Sequence, residues 1–181
     1  MIGRGKYDNP KDSLPALPGT YALVLRFSKR LEIVVGRLGV LDARAGYYVY
    51  VGSALGPGGL AARVGRHCRH DKRLRWHVDY LRTAAQINEV WYATGKSHRE
   101  CRWASALRTL PGASVPLMGF GASDCGCPSH LCFFTLPPSL ADFRKNLHNQ
   151  RIERLRLADA QDAMCAVAGS AQRPRHDGTQ G

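Results

Sequence analysis

Between Thr20 and Phe27 the chain alternates with a period of two, placing Tyr21, Leu23, Leu25 and Phe27 on one face. A helix repeats every 3.6 residues, so this segment reads as a strand, and a strand needs partners for its backbone. Residues 31–38 (LEIVVGRL) read as a second strand, joined to the first by Ser28-Lys29-Arg30, which predicts a hairpin. Residues 47–52 (YYVYVG) read as a third, with Tyr48 and Tyr50 on one face, and residues 87–94 and 131–136 as two more. Between them, residues 60–70 carry Leu60, Val64 and Cys68 on an i, i+4 stripe and predict a helix, as do residues 76–85. A further helix is predicted from Ser97 to Leu110, with Ser97 and Glu100 as a capping box and Pro111-Gly112 as its stop. A helical pattern also covers residues 140–167. The expected fold class is α+β, a small mixed or antiparallel sheet flanked by helices. The expected organisation is a polar arm over 1–17, one domain over 18–138, a helical extension over 139–168 and a disordered tail over 169–181.

Charge narrows the function. The 181 residues carry 26 Lys+Arg against 14 Asp+Glu, a net charge of +12. That surplus points to a polyanion, and nucleic acid fits better than membrane because no basic helix with a strongly apolar face stands out. The blander reading is a solvated basic surface. No apolar run reaches the roughly 18 residues of a membrane span. The first residues, MIGRGKYDNPKDSLP, lack an apolar signal core, so the expected compartment is the cytoplasm, with the six Cys as reduced thiols.

Several residues are candidates for chemistry. Tyr21 and Tyr50 each lie near a glycine, Gly19 and Gly52, that lets a backbone or ligand come close. Core packing with the hydroxyl satisfied at a rim is the competing role. Arg63 and His67 are one helical turn apart and project from one face. Over residues 63–82, Arg63, Arg66, Arg69, Lys72, Arg73, Arg75 and Arg82 face only Asp71 and Asp79. Arg66, Arg69, Lys72, Arg73 and Arg75 are therefore candidate phosphate contacts. Gly58-Gly59 opens a helix, but the loop lacks the Gly-Lys-Ser/Thr ending of a P-loop. In RWHVDYL, His77 and Asp79 do not share a helix face, and a structural role beside Trp76 and Tyr80 is preferred. Cys125, Cys127, His130 and Cys132 cluster beside Asp124. Thiolate and imidazole are zinc ligands, yet structural zinc sites usually draw two separated pairs, which this tight spacing lacks. A turn held by side-chain hydrogen bonds is the alternative.

Read in order, Gly19-Thr20-Tyr21, Tyr50-Val51-Gly52, Leu60-Ala-Ala-Arg63-Val-Gly-Arg-His67 and Glu100 resemble the GIY-YIG nuclease superfamily. The strings GYYVYVGSALGPGGLAARVGRH, RWHVDYL, Glu100-Cys101 and FGASDCGCPSHL are most similar to one prokaryotic family of uncharacterised function placed in it. That family occurs alone or fused to a DNA-repair glycosylase of the endonuclease III type, and the resemblance covers about residues 16–136. It implies a metal-dependent endonuclease acting on DNA rather than RNA, in DNA repair. Tyr21 and Tyr50 would be the paired site tyrosines, one taking a proton from the attacking water. Arg63 would meet the scissile phosphate, His67 would assist proton transfer or hold the water, and Glu100 would be the sole carboxylate on Mg²⁺ or Mn²⁺. One carboxylate suffices for such an ion when phosphate oxygens and waters complete its shell. The resemblance also makes Asp124, Cys125, Cys127 and His130 part of a substrate groove. The chain departs from the superfamily pattern in Thr20, in Ser53 where a basic residue is common, and in the strand lying between its two tripeptides. The alternative function is a non-catalytic nucleic-acid-binding module that kept the fold.

Overall fold

The computed structural model describes residues 13–69 and 72–157. Its element order is β1 (Gly19–Phe27), β2 (Leu31–Val34), a 3₁₀ turn (Gly36–Leu38), β3 (Val40–Ala43) and β4 (Gly46–Ala54). Then come α1 (Gly59–Cys68), α2 (His77–Leu81), β5 (Gln86–Thr94), α3 (Glu100–Arg108), β6 (Leu131–Phe134), α4 (Leu140–Asn146) and β7 (Glu153–Arg156). The fold is α+β. Five strands form an antiparallel sheet in the order β6-β4-β1-β5-β7, and β2 and β3 pair as a separate two-stranded sheet.

β1 sits at the centre because it is apolar on both faces. Its odd positions, Tyr21, Leu23, Leu25 and Phe27, pack with Leu60 and Val64 of α1, Val78 and Leu81 of α2, and Ile33 and Leu41 of the small sheet. Ala22 and Val24, on the other face, join Trp91, Trp103, Leu107 and Phe143. The sheet is thus a middle layer, with α1 and α2 on one side and α3 and α4 on the other.

Three expectations are corrected. β1 does not form a hairpin with β2; β1 pairs with β4 and β5, and β2 with β3. α3 starts at Glu100 after Arg99, with no side-chain cap bond, so Ser97 and Glu100 do not form a capping box. The helix at residue 140 ends at Asn146; His148 and Asn149 take φ of 55° and 56°, and Glu153–Arg156 returns as a strand against β5. The continuation expected over 158–168, the disordered tail over 169–181 and most of the polar arm lie outside the described residues. Of that arm, Pro15 and Leu17 offer carbonyls to the N–H groups of Ala61 and Leu60 and so seat the chain on α1.

Candidate active site

The register of β1 against β4 sets the first two side chains. Tyr21 lies opposite Gly52 and Leu23 opposite Tyr50, so both tyrosines point to the α1 face from adjacent strands. Gly52 is the gap that admits the Tyr21 ring: a Cβ there would stand 2.5 Å from the Tyr21 hydroxyl oxygen. α1 crosses this face and brings His67 between the rings, at centroid distances of 5.6 Å from Tyr21 and 6.4 Å from Tyr50. The Tyr21 hydroxyl is 2.8 Å from His67 Nε2. Arg63, one turn earlier, lies over the Trp76 ring at 4.4 Å, and Arg66 lies over the same ring at 4.0 Å.

Electrostatics tie the set together. Burial raises the Tyr21 phenol well above its usual range, the nearby Tyr50 and Glu100 add to the rise, and Arg63 opposes it. Burial likewise raises Tyr50, with Glu100 the leading charge and Arg63 again opposing. Glu100, half-buried in the first turn of α3, is therefore close enough to act on both phenols. His67, 1% exposed, is pushed down to about 4, by burial first. It is a neutral imidazole at pH 7. Its Nδ1 makes no hydrogen bond and stands 3.8 Å from Asp79 Oδ1. A proton on Nδ1 faces that negative charge, which leaves Nε2 free to accept from the Tyr21 hydroxyl.

Asp79 anchors this arrangement. Its buried carboxylate accepts two bonds of 3.0 Å from the Arg66 guanidinium, and bonds from the backbone N–H groups of Arg75 and Trp76 at 2.9 and 3.0 Å. It also pairs with Lys72 Nζ at 3.1 Å. Burial alone would raise the Asp79 pKa; the surrounding His67, Arg66 and backbone N–H groups more than reverse this and hold it well below the carboxylate range. The structural role preferred for Asp79 is the one seen. His77 turns elsewhere and accepts the Gly121 N–H at 3.0 Å.

Two candidate phosphate contacts take on different work. Arg66 is committed to Asp79 and to the Arg73 carbonyl, and Lys72 to Asp79 and the carbonyls of Arg66 and His67. Arg69, Arg73 and Arg75 are exposed and border one surface recess.

The loop between α3 and β6 walls the site beside Tyr50. Phe120 is fully buried there, with its ring edge-on to Tyr50 at 5.9 Å. Gly121 has φ +69°, and a Cβ on it would stand 2.8 Å from the Tyr50 ring. Asp124, further along the loop, contributes to the Tyr50 shift. Cys125, Cys127 and His130 gather with Cys101 of α3, a residue the sequence reading had not placed among the ligands, and these four could bind a metal ion. Cys132 is buried in the core, pushed up to about 11 by burial, and stays outside the group. Cys101 follows Glu100 directly, so the dipeptide places one hard and one soft donor side by side.

Among the described residues, no helix is long and apolar enough to cross a membrane. A family model described as "Domain of unknown function DUF123" matches residues 20–153. No curated protein matches the chain, and no solved structure matches it.

Proposed function

Because the chain belongs to the DUF123 family, a domain of unknown function, we infer its function from its own side chains together with the resemblance of its motifs to GIY-YIG nucleases: a divalent-metal-dependent endonuclease that hydrolyses phosphodiester bonds, with DNA preferred to RNA. The observation that carries this reading is the Tyr21–His67 hydrogen bond of 2.8 Å, set among Tyr50, Arg63 and Glu100. The resemblance to GIY-YIG nucleases supplies the roles given to these residues and implies a part in DNA repair. The free cysteines among the described residues suit the reducing cytoplasm.

A phenol well above its usual pKa is a poor base until its own proton has somewhere to go. His67 Nε2 is that acceptor. As the water oxygen bonds to phosphorus, the Tyr21 oxygen takes the water's proton and its own hydroxyl proton passes to Nε2, while the P–O bond to the leaving oxygen breaks and that oxygen takes a proton from solvent. The imidazolium so formed faces the Asp79 carboxylate 3.8 Å away. Asp79 is thus a positioning residue. Arg63, partly exposed and stacked on Trp76, offers its guanidinium to a phosphate oxygen. Glu100 is the oxygen donor for Mg²⁺ or Mn²⁺, and the hard carboxylate beside two phenols fits such an ion where thiolates do not. Once bound, the ion supplies charge to the scissile phosphate.

A non-catalytic nucleic-acid-binding module is the second reading, and one observation favours it: Tyr21 and His67 are each 1% exposed. One assay separates the two, with duplex, branched and abasic DNA incubated with Mg²⁺ or Mn²⁺. The enzyme cleaves at least one of them, and Glu100→Gln abolishes that cleavage while binding persists. Gln at this position removes no cap bond. It forfeits at most about 1 kcal/mol of charge–dipole interaction, so the melting temperature should hardly move. Full activity in Glu100→Gln removes Glu100 from the site, and binding without cleavage across the panel establishes the module instead.

A further inference from the structure

We propose that Cys101, Cys125, Cys127 and His130 form a closed tetrahedral Zn²⁺ site that clips the loop before β6 to the first turn of α3. The site is distinct from the hard-ion position at Glu100, and the proposal stands whether or not the protein cleaves nucleic acid.

The geometry is near that of a loaded site. With Zn–S of about 2.3 Å and Zn–N of about 2.0–2.1 Å, a tetrahedron has S-to-N edges of about 3.6 Å and S-to-S edges of about 3.8 Å. His130 Nε2 lies 3.4 Å from Cys125 Sγ and 3.9 Å from Cys101 Sγ, on either side of that edge. The four ligand atoms all lie within 4.8 Å of one another, so the widest separation closes by about 1 Å on binding. Three sulfurs and one imidazole nitrogen are the donors zinc takes in structural sites, and four protein ligands leave no position open for a substrate.

The spacing that argued against zinc in the sequence is resolved by the fold. Cys125, Cys127 and His130 supply three ligands from one turn, and the fourth comes from a helix far away in the chain. That turn is already shaped for it. The Gly119 N–H donates to the Pro128 carbonyl at 2.7 Å, and the His130 N–H to the Phe120 carbonyl at 2.7 Å. The Val51 N–H binds the His130 carbonyl at 2.9 Å, which fixes the histidine against β4. Cys101 lies in the first turn of α3, directly after Glu100. Binding releases the three thiol protons, so Zn²⁺, three thiols and one imidazole give a complex of net charge −1. The Arg108 guanidinium, bonded to the Ser129 carbonyl at 3.2 Å, stands beside the loop to offset part of that charge.

The clip has a mechanical consequence. Residues 109–130 form a long connection without a regular element, and such loops are usually functional or unfixed. This one packs Phe120 against Tyr50 and ends its tether one residue from Glu100. Zinc there joins the two walls of the candidate active site.

The test uses the full chain. Purified protein is expected to hold roughly one zinc per chain by elemental analysis. The Co²⁺-substituted form is expected to show sulfur-to-cobalt charge-transfer absorption and the intense visible bands of a tetrahedral ion. Cys101→Ala should weaken zinc binding by more than the about 10–100-fold that loss of an outer-shell partner costs, while Cys68→Ala should leave it unchanged. Titrating the wild-type thiols with an organomercurial should release the zinc, which keeps the proposal testable if a variant fails to fold. Protein that takes up neither zinc nor Co²⁺ overturns it. So does unchanged zinc affinity, measured by competition with a chelator, in a folded Cys101→Ala variant, and so does a Cys125–Cys127 disulfide in protein purified under reducing conditions.

Discussion

His67 is held neutral by burial, and its residual stability cost is a matter of pH. Its folded pKa of about 4 lies below the ordinary 6.5. Between those values the unfolded chain binds a proton that the folded chain refuses, so stability must rise with pH across that window. The contribution is whole above pH 6.5 and is lost as pH falls towards 4, to the extent of about 3 kcal/mol, one unit being worth about 1.4. Urea unfolding at several pH values between 7.5 and 4.5, compared with His67→Gln, isolates this term from the other titrating groups. Equal slopes in the two proteins would show that His67 is accessible to protons in the fold. The residues of this site differed in how openly they could be read. Arg63 and His67 were legible because a helix puts i and i+4 on one face. Asp79 was not, since its partners Arg66, His67 and Lys72 reach it from another helix and the connection after it. Two acids, Asp71 and Asp79, amid seven bases were the available signal, and that count alone did not single out Asp79.

At the level of elements, the site depends on one strand register. Tyr21 sits over Gly52, and any side chain there would occupy the space of the phenol. For Gly52→Ala the new Cβ lies 2.5 Å from the hydroxyl oxygen and 2.7 Å from Cζ, so the ring must move and its bond to His67 lengthens. A displacement of that kind at a reacting group costs on the order of 100-fold in rate. Gly56→Ala, where a Cβ meets nothing within 4 Å, is the matched control. Cleavage unchanged in Gly52→Ala would refute the role given to the Tyr21–His67 bond. Strand existence was readable from alternation; pairing was not. A three-residue connection after β1 suggested a hairpin, but β1 has nine residues and is buried on both faces almost throughout. Only long strands satisfy it, and β4 and β5, nine residues each, outcompete the four-residue β2. The same economy recruits β7: the far edge of β5 was open, and the left-handed turn at His148 and Asn149 brings the chain back to cover it.

For the molecule as a whole, the fold class and the charge of +12 are legible in the sequence, because patterning and composition decide both. Which charges are free was not legible, since that depends on where Asp79 lies. Arg66 and Lys72 neutralise it from within, whereas Arg69, Arg73 and Arg75 remain at the surface. The two groups of cations therefore have separable effects. Removing an exposed arginine that meets a phosphate lowers the dependence of log K on log salt by about 0.9 for duplex DNA. Arg69→Ala with Arg73→Ala should flatten the slope by about 1.8 and leave the melting temperature unchanged. Arg66→Ala should instead lower the melting temperature, because it strips the bidentate partner from a buried carboxylate, a loss of about 3–5 kcal/mol for a buried pair. Fluorescence anisotropy with a labelled duplex across a salt series, beside thermal melts of each variant, reads both quantities. An unchanged slope in the double variant would move the nucleic-acid face away from the recess bordered by Arg69, Arg73 and Arg75. It would leave Arg63, stacked on Trp76 one helical turn before His67, as the phosphate contact to test next.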